Sequence, residues 1–365
     1  MTLHIYFARR FFLAFLAVFF ALATLLGLID MLEQVRRFDS DAVSFGAIVT
    51  LTLLNLPDTV YRTLPLVTIL STIGLFLALS RSSEMVIARA AGRAALTSVI
   101  APTLVAVGIG AAAVAVMNPM VAATSKQYDT LANRYLQTNR SVLSISAEGL
   151  WLRQGGPEGQ TVIRADRANL DGTELFGTTF TAFAPSGLPL TRIEAASARL
   201  TAGAWQLTDA KLWPLSDSEN PELDAVRYPT LQVPTNLTRN QIIDSFGTPS
   251  AIAIWELPGF IEQLENAGFS ARQHRVWYQM ELAMPLFLGA MVLVAAGFTL
   301  RPSRFGRTGL MVVMAITLGF ALYFMRNFAQ ILGENGQIPV ALSAWGPPAA
   351  AILLPLSLLL HLEDG

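Results

Sequence analysis

Six long apolar stretches set the limits on what this 365-residue chain can fold into. A helix must place roughly 20 apolar residues in a row to cross a hydrocarbon layer about 30 Å thick. Charged residues make up only 14% of the chain, against about 25% in a typical soluble domain. The sequence therefore predicts an α-helical polytopic membrane protein with six transmembrane helices. The predicted spans are Phe11 to Leu32, Pro57 to Leu79, Thr97 to Val121, Trp277 to Leu300, Leu310 to Leu332 and Ile338 to His361.

The first stretch also has features of a secretion signal, because Arg9 and Arg10 precede it and Ala21-Leu22-Ala23 is similar to a cleavage site. The apolar run nevertheless continues to Leu28, which makes it longer than the roughly 7–15 apolar residues of a signal peptide. We therefore predict that this segment remains as an uncleaved first helix.

Arginines in the short connecting loops predict the orientation, because cytoplasmic loops carry an excess of basic residues. The first outer loop opposes this rule with Arg36 and Arg37, which Asp39 and Asp41 offset. We predict a multi-pass protein of the cell inner membrane with both termini in the cytoplasm. The arginines that this orientation places inside are Arg9, Arg10, Arg81, Arg89, Arg93, Arg301, Arg304 and Arg307.

About 150 residues of different character separate the third and fourth spans. Short runs of β-forming residues occur at Val162 to Ala165, Phe176 to Phe183 and Trp205 to Leu212, and turn sequences such as Pro185-Ser186-Gly187 lie between them. Several short strands at near-regular spacing are typical of a sandwich or a jelly roll. The sequence therefore predicts an inserted all-β, jelly-roll-like domain, which the orientation above places in the periplasm.

These patterns predict four regions along the chain. Residues 1–139 hold transmembrane helices 1–3 with a cytoplasmic segment at about 80–98, and residues 140–248 form the β domain. Residues 249–276 form an amphipathic connector, with Pro258 breaking or restarting its helix, and residues 277–365 hold helices 4–6. The apolar face of the connector consists of Ile254, Leu257, Phe260, Ile261 and Leu264.

Several kinds of active site are excluded by the residues themselves. The chain has no cysteine and only three histidines, each isolated, so we expect no metal centre, no cofactor and no catalytic residue. No phosphate-binding loop is present, because Gly306-Arg307-Thr308 is only a fragment of one. The chain is therefore not expected to hydrolyse ATP itself.

The segment Ser80 to Ser98 is the candidate contact with a cytosolic motor. Ser82 is suited to cap a helix start, and Glu84 near that start suits the helix dipole. The segment forms either a short helix that enters a groove on a partner or a re-entry loop whose charges only fix topology, and the residues favour neither. The candidate coupling residues are Glu84, Met85, Ala88, Arg89 and Gly92.

Four local sequences resemble one known family, the LptF/LptG permeases of the lipopolysaccharide export ABC transporter. They are Leu28 to Arg37, Ser80 to Gly92, Glu148-Gly149-Leu150-Trp151 and Ile338-Pro339. Their order and spacing follow the family over essentially the whole chain, and the local matches favour the LptG branch. One departure is Asp30, which stands where LptG has a lysine in the first helix.

The resemblance implies both partners and a substrate. Such permeases pair as LptF with LptG on a dimer of the ATPase LptB. They take lipopolysaccharide from the outer leaflet and pass it through LptC to a periplasmic bridge. The acyl chains follow a groove in the jelly roll.

Under this resemblance, ionisable residues near the spans become candidates for the lipopolysaccharide headgroup. Arg36 and Arg37 suit phosphate groups, although ordinary interfacial anchoring explains them equally well. Arg326 is expected to contact phosphate or a carboxylate such as Glu33 or Asp58, and structural pairing inside the bundle is the favoured alternative. The candidate headgroup residues are Asp30, Glu33, Arg36, Arg37, Arg62 and Arg326, with Asp58 and Glu281 as further charges in the spans.

Apolar residues of the β domain are candidates for the acyl-chain groove, with ordinary core packing as the alternative for most of them. These residues are Ile163, Phe180, Phe183, Leu200, Trp205 and Leu212. Two rival functions remain open at this point. One is a permease that transmits the strokes of an ATPase to a periplasmic partner without carrying lipid. The other is a secondary transporter, which would show internal repeats and midplane charges; the sequence shows no clear repeat, and its charges lie off the midplane.

Overall fold

The computed structural model describes residues 2–38, 43–85, 87, 95–135, 144–146, 149–156, 159–169, 172–216, 219–235, 237–238, 242, 248–266, 270–300 and 308–364. The chain divides into two compact units. The helical unit contains Met1–Leu136, Ser250–Trp255 and Arg272–Gly365, and the β unit contains Gln137–Pro249 and Glu256–Ala271.

The elements follow one another in a simple order along the chain. The α-helices are α1 (Thr2–Arg37), α2 (Phe45–Arg81), α3 (Ala95–Ala112), α4 (Asn118–Tyr135), α5 (Leu257–Asn266), α6 (Arg272–Thr299), α7 (Thr308–Glu334) and α8 (Val340–Asp364), and a π-helical segment (Ala113–Met117) joins α3 to α4. The strands are β1 (Ser144–Ser146), β2 (Gly149–Gly156), β3 (Gly159–Ala168), β4 (Glu174–Phe183), β5 (Pro189–Thr201), β6 (Ala204–Pro214) and β7 (Val226–Pro234).

Within the described ranges, six helical segments are long and apolar enough to cross a membrane. The third of them runs without interruption through α3, the π-helical segment and α4, from Thr97 to Ala132. Helices satisfy every backbone N–H and C=O internally, which is what allows them to cross a layer without water. The prediction of six membrane helices is confirmed.

Helix α6 forms the core of the helical unit, where it packs against α2, α3, α7 and α8. Its residues Phe287, Met291 and Val294 are fully buried. The contact with α3 depends on small residues, since a Cβ atom built on Gly110 would lie 2.6 Å from the Cα atom of Pro285. Apolar side chains gain little by leaving lipid, so close backbone approach is the main source of packing between membrane helices.

Helices α1 and α7 leave broad apolar surfaces uncovered in the helical unit. Phe20 and Leu25 of α1 and Phe324 and Phe328 of α7 are exposed. In a membrane protein such surfaces face acyl chains or another membrane-spanning subunit.

The β unit is one antiparallel sheet in which each described strand pairs with its neighbours in the chain, in the order β1 to β7. The sheet curls so that β2 approaches the end of β7. Gln154 on β2 donates a hydrogen bond to the carbonyl of Pro234 (3.1 Å) and accepts one from Thr235 (2.6 Å). The predicted runs at 162–165, 176–183 and 205–212 lie within β3, β4 and β6. This β unit, inserted between the third and fourth spans, confirms the predicted fold class. Its described strands follow one another in chain order, without the Greek-key crossovers of a jelly roll.

A crease across four strands explains how a single sheet can enclose a core. On each of the strands β3 to β6, buried residues recur at every second position except at one step, where they lie three positions apart. These steps lie side by side across the four strands, at the same level of the sheet. Gly177 on β4 (φ +61°) and Asp209 on β6 (φ +52°) mark this level. A residue with positive φ leaves the extended β conformation and bends its strand at that point. The aligned kinks therefore bend the sheet around its apolar face.

The connector differs in detail from the sequence-based expectation. Pro249–Ala251 forms a 3-10 turn, and the helix α5 begins only at Leu257. Pro258 therefore lies in the first turn of α5, where a missing N–H costs no hydrogen bond. The proline begins this helix rather than breaking it.

The two glycines of α3 provide a matched test of the helix packing. Gly110→Ala should destabilise the helical unit by about 1–3 kcal/mol, because the added methyl group would overlap the backbone of α6. Gly108 has open space around it, so Gly108→Ala should be neutral or stabilise by about 0.5–1 kcal/mol. Thermal unfolding of the purified variants in detergent measures both effects. Equal midpoints for the two variants would contradict the packing of α3 on α6.

Candidate functional site

A chain of polar side chains joins α1, α2 and α4 near Arg37. Asn55 of α2 donates a hydrogen bond to the Asp30 carboxylate (2.7 Å). Gln34 donates to the Tyr128 hydroxyl of α4 (2.9 Å), and Arg37 donates to the same hydroxyl (3.2 Å). Asp30 is only 8% exposed. Its carboxylate therefore joins α1 to α2 through Asn55 and does not face outward. We call this end of the helical unit the Arg37 end.

The other predicted headgroup residues on α1 and α2 are exposed. Glu33 and Arg36 are exposed, and Arg37 is exposed although its guanidinium donates to the Tyr128 hydroxyl. Arg62 lies two turns along α2 from Asn55 and forms an i,i+4 ion pair with Asp58 (2.9 Å), in which more than half of the arginine side chain remains exposed. Two neighbouring helices therefore present exposed guanidinium groups: those of Arg36 and Arg37 at the Arg37 end, and that of Arg62 about 10 Å further along α2 from Asn55.

A second polar group lies inside the helical unit around Glu281 of α6, which is 1% exposed. The Tyr61 hydroxyl of α2 donates a hydrogen bond to the Glu281 carboxylate. Asn118, the first residue of α4, donates a second one to the same oxygen (3.3 Å). A buried carboxylate is tolerated only when it is paired or hydrogen-bonded, and this one links three helices.

Asn118 also connects the spans to the strap Ser250–Trp255. Its side-chain oxygen accepts a hydrogen bond from the backbone N–H of Ile254 (2.9 Å), and the Trp255 indole N–H donates to the carbonyl of Ala115 (3.4 Å). Ala115 lies in the π-helical segment, and a π-helical turn alters the hydrogen bonding of its backbone relative to an α-helix. The strap is therefore fixed to an irregular turn of the third span.

Arg326 of α7 belongs to the same buried region. Its guanidinium lies 5.6 Å from the centre of the Phe287 ring and interacts electrostatically with Glu281. The expected carboxylate neighbour of Arg326 was Glu33 or Asp58. The structure pairs Asp58 with Arg62 and places Glu281 near Arg326 instead.

At the opposite end of α1, three side chains converge on Glu84. The Tyr6 hydroxyl donates to one carboxylate oxygen (2.7 Å) and the Ser82 hydroxyl to the other (2.9 Å), while Arg10 forms an ion pair with the second oxygen (3.6 Å). The hydrogen bond from Tyr6, followed by those from Ser82 and the charge of Arg10, holds the pKa of Glu84 below its ordinary value. The carboxylate is therefore ionised at neutral pH. We call this the Tyr6 end.

The remaining candidate coupling residues differ in their exposure. Met85 is buried in the core of this chain together with Phe7 and Phe11, so its contact with a partner stays a prediction. Ile87, which is not among the predicted coupling residues, is 67% exposed and is a large apolar side chain that the described part of this segment presents outward. Ala88, Arg89 and Gly92 lie outside the described residues.

The six candidate groove residues of the β unit divide into two groups. Ile163, Phe180 and Trp205 are fully buried, and the last two form an edge-to-face ring pair with centroids 6.4 Å apart. These three belong to the packed core. The half-buried residues, which have surface left to offer an acyl chain, are Phe183, Leu200 and Leu212.

The sequence analysis missed the side chains that complete both polar groups. Tyr61 and Asn118 are uncharged, so a search of the spans for charged residues does not find them. Tyr6 precedes the first predicted span and carries no charge that would mark it. Asn118 carried a usable signal, because a polar amide inside a transmembrane helix tends to hydrogen-bond across helices. In the described part of the chain, no group of three or more Asp, Glu or His side chains could hold a metal ion.

The architecture and its polar groups define a class, that of a multi-pass membrane permease with an inserted β unit. A sequence profile described as "Lipopolysaccharide export system permease LptF/LptG" matches residues 5–361. The chain therefore belongs to the LptF/LptG permease family. Members of this family are permease subunits of an ABC transporter and are not themselves enzymes, and the six apolar helices make this chain a multi-pass inner-membrane protein.

Two relatives extend over the same length. The lipopolysaccharide export system permease protein LptG of Escherichia coli strain K12 is 25% identical over 365 residues, which cover 98% of this chain and 97% of that protein. The protein of the same name from Escherichia coli O6:H1 strain CFT073 has the same identity and coverage. The similarity to LptG agrees with the branch that the local sequence matches favour.

Because Glu281 accepts two buried hydrogen bonds, two substitutions at this position should differ markedly in stability. Glu281→Leu leaves the Tyr61 hydroxyl and the Asn118 amide without an acceptor, at about 1–3 kcal/mol for each buried unsatisfied group. Glu281→Gln keeps one acceptor oxygen and should cost much less. Thermal unfolding in detergent compares them, with Glu33→Gln at an exposed position as the control. A Glu281→Leu protein as stable as the parent would show that the buried group does not hold the helices together.

Proposed function

We propose that this chain is the permease subunit that extracts lipopolysaccharide from the outer leaflet of the inner membrane and passes it to a periplasmic bridge. The observation that carries the proposal is the set of exposed guanidinium groups, Arg36, Arg37 and Arg62, on two adjacent apolar helices of an export permease. Guanidinium forms bidentate, charge-assisted hydrogen bonds with phosphate. A lipid with phosphates above its acyl chains fits this arrangement.

The proposal assigns different roles to the predicted headgroup residues. Arg36 and Arg37 bind phosphate directly, and Arg62 does so after exchanging its partner Asp58 for the lipid. Glu33 is exposed beside these arginines. Its negative charge would favour headgroups that also carry a positive group. Asp30 and Arg326 act from within the protein, by holding α1 against α2 and by balancing the charge of Glu281.

In the proposed orientation the Tyr6 end lies in the cytoplasm, and the Arg37 end and the β unit lie on the periplasmic side. The arginines at the Tyr6 end, Arg9, Arg10 and Arg81, support this orientation through the excess of basic residues in cytoplasmic loops. The regions 1–139, 140–248, 249–276 and 277–365 remain our proposed division of the chain by function.

The β unit is proposed to receive the acyl chains. Leu200 and Leu212 are half-buried and lie on the sheet face that carries the core residues Ile163, Phe180 and Trp205. Phe183, three positions from Phe180, lies on the opposite face by strand alternation and is the weakest of the predicted groove residues. A buried CH₂ group gains about 0.8 kcal/mol, so several acyl chains require a continuous apolar path once they have left the bilayer.

Extraction of a lipid with several acyl chains needs external energy, because the burial of each CH₂ group also stabilises the lipid in the bilayer. We propose that an LptB-like ATPase dimer supplies this energy through Glu84 and the exposed Ile87. An LptF-like permease covers the apolar surfaces of α1 and α7, and an LptC-like subunit accepts the lipid. The family membership and the exposure of these surfaces support the partners.

Site-specific photocrosslinking tests whether lipid follows this path. With a photoreactive residue at Arg36 or Leu212, membranes containing the complete export complex should give adducts with lipopolysaccharide that increase during ATP hydrolysis. The neighbouring position Lys211 is the control, because successive side chains of a strand point to opposite faces. Adducts at neither Arg36 nor Leu212 would instead favour a permease that transmits force without carrying lipid.

A further inference from the structure

We call the segment Ser80 to Ser98 the coupling segment. The Tyr6 end of α1 is attached to the start of this segment by polar contacts that the established role of the family does not assign. Tyr6 and Arg10 lie one helical turn apart on α1, and both reach the carboxylate of Glu84. The Arg10 guanidinium also lies 5.0 Å from the centre of the Tyr6 ring. A carboxylate that receives a hydroxyl and a guanidinium from one helix is fixed relative to that helix.

Apolar packing continues the same contact. Phe7, Phe11 and Phe15 of α1 are buried in one cluster with Leu79 at the end of α2 and with Met85 beside Glu84. The first third of α1 and the start of the coupling segment therefore share both a polar and an apolar interface. Beyond Phe15, no residue of α1 is buried until Asp30, although Val18, Phe19 and Leu22 still pack against the same cluster.

We propose that Tyr6 and Arg10 are positioning residues for the coupling carboxylate, and that α1 moves with the coupling segment as one piece. The inference rests on the proposed function, in which Glu84 meets the ATPase. The motor would then act on α1 directly and not only through α2 and α3, the helices that continue the coupling segment in sequence.

The geometry of α1 gives this connection a consequence at the Arg37 end. Helix α1 is continuous from Thr2 to Arg37 and contains no proline, whereas α2 contains Pro57 and Pro65. At 1.5 Å per residue, about 40 Å separate Arg10 from Arg36. A movement of Glu84 is therefore carried along one helix to the guanidinium groups proposed to hold the lipid headgroup.

Substitutions at the Tyr6 end test the inference in the complete export complex. Tyr6→Phe and Arg10→Gln should retain the ATPase on co-purification and keep the unfolding midpoint of the parent. They should lower the amount of lipopolysaccharide moved per ATP hydrolysed by roughly three- to tenfold, as expected for loss of one such hydrogen bond. Arg10→Lys should keep most of the coupling, and Arg9→Gln, which removes the same charge from an exposed neighbouring position, should behave as the parent.

The outcomes separate this inference from the function on which it rests. If Glu84→Gln impairs coupling while Tyr6→Phe and Arg10→Gln do not, α1 is not part of the coupling element and the inference is wrong. If Glu84→Gln behaves as the parent, the proposed role of Glu84 fails. If Tyr6→Phe lowers the unfolding midpoint, the comparison of Arg10→Lys with Arg10→Gln decides, and equal coupling in these two overturns the inference.

Discussion

The cost of placing charge in hydrocarbon shapes this molecule more than any other interaction. An ionised side chain at the centre of a bilayer is expensive unless it is paired or reaches water. Helix α1 obeys this constraint by carrying its ionisable groups at two ends, Arg9 and Arg10 at one and Asp30 to Arg37 at the other, with an uncharged run between them. The two functions that we assign to the chain, coupling and headgroup binding, are separated for the same reason.

Glu281 is the exception, and its surroundings explain why the protein can tolerate it. The carboxylate accepts hydrogen bonds from Tyr61 and Asn118 and lies within electrostatic reach of Arg326. Because Asn118 also binds the backbone of Ile254, the same buried group fixes the strap that follows the β unit in sequence. A buried polar group that would be destabilising by itself thereby links three spans and the strap.

The sequence was sufficient to predict the six spans and the inserted β unit, because apolar length and strand spacing are local properties. It also pointed to Glu84, Arg36 and Arg37, which stand out as charges beside apolar runs. It did not reveal the partners of these residues. Tyr6 meets Glu84 across 78 positions of the chain, and Tyr61 meets Glu281 across 220. Such pairs depend on how helices pack, and no local pattern encodes that packing.

The most direct measurement concerns which side of the membrane each end occupies. The chain contains no cysteine, so a single Ser186→Cys in an exposed turn of the β unit or a single Ile87→Cys at the Tyr6 end gives an unambiguous label. We expect a membrane-impermeant maleimide, added to cells with a permeabilised outer membrane, to label Ser186→Cys at once. We expect Ile87→Cys to react only after the inner membrane is broken. The reverse pattern would contradict the proposed orientation and, with it, the export of lipid from the outer leaflet.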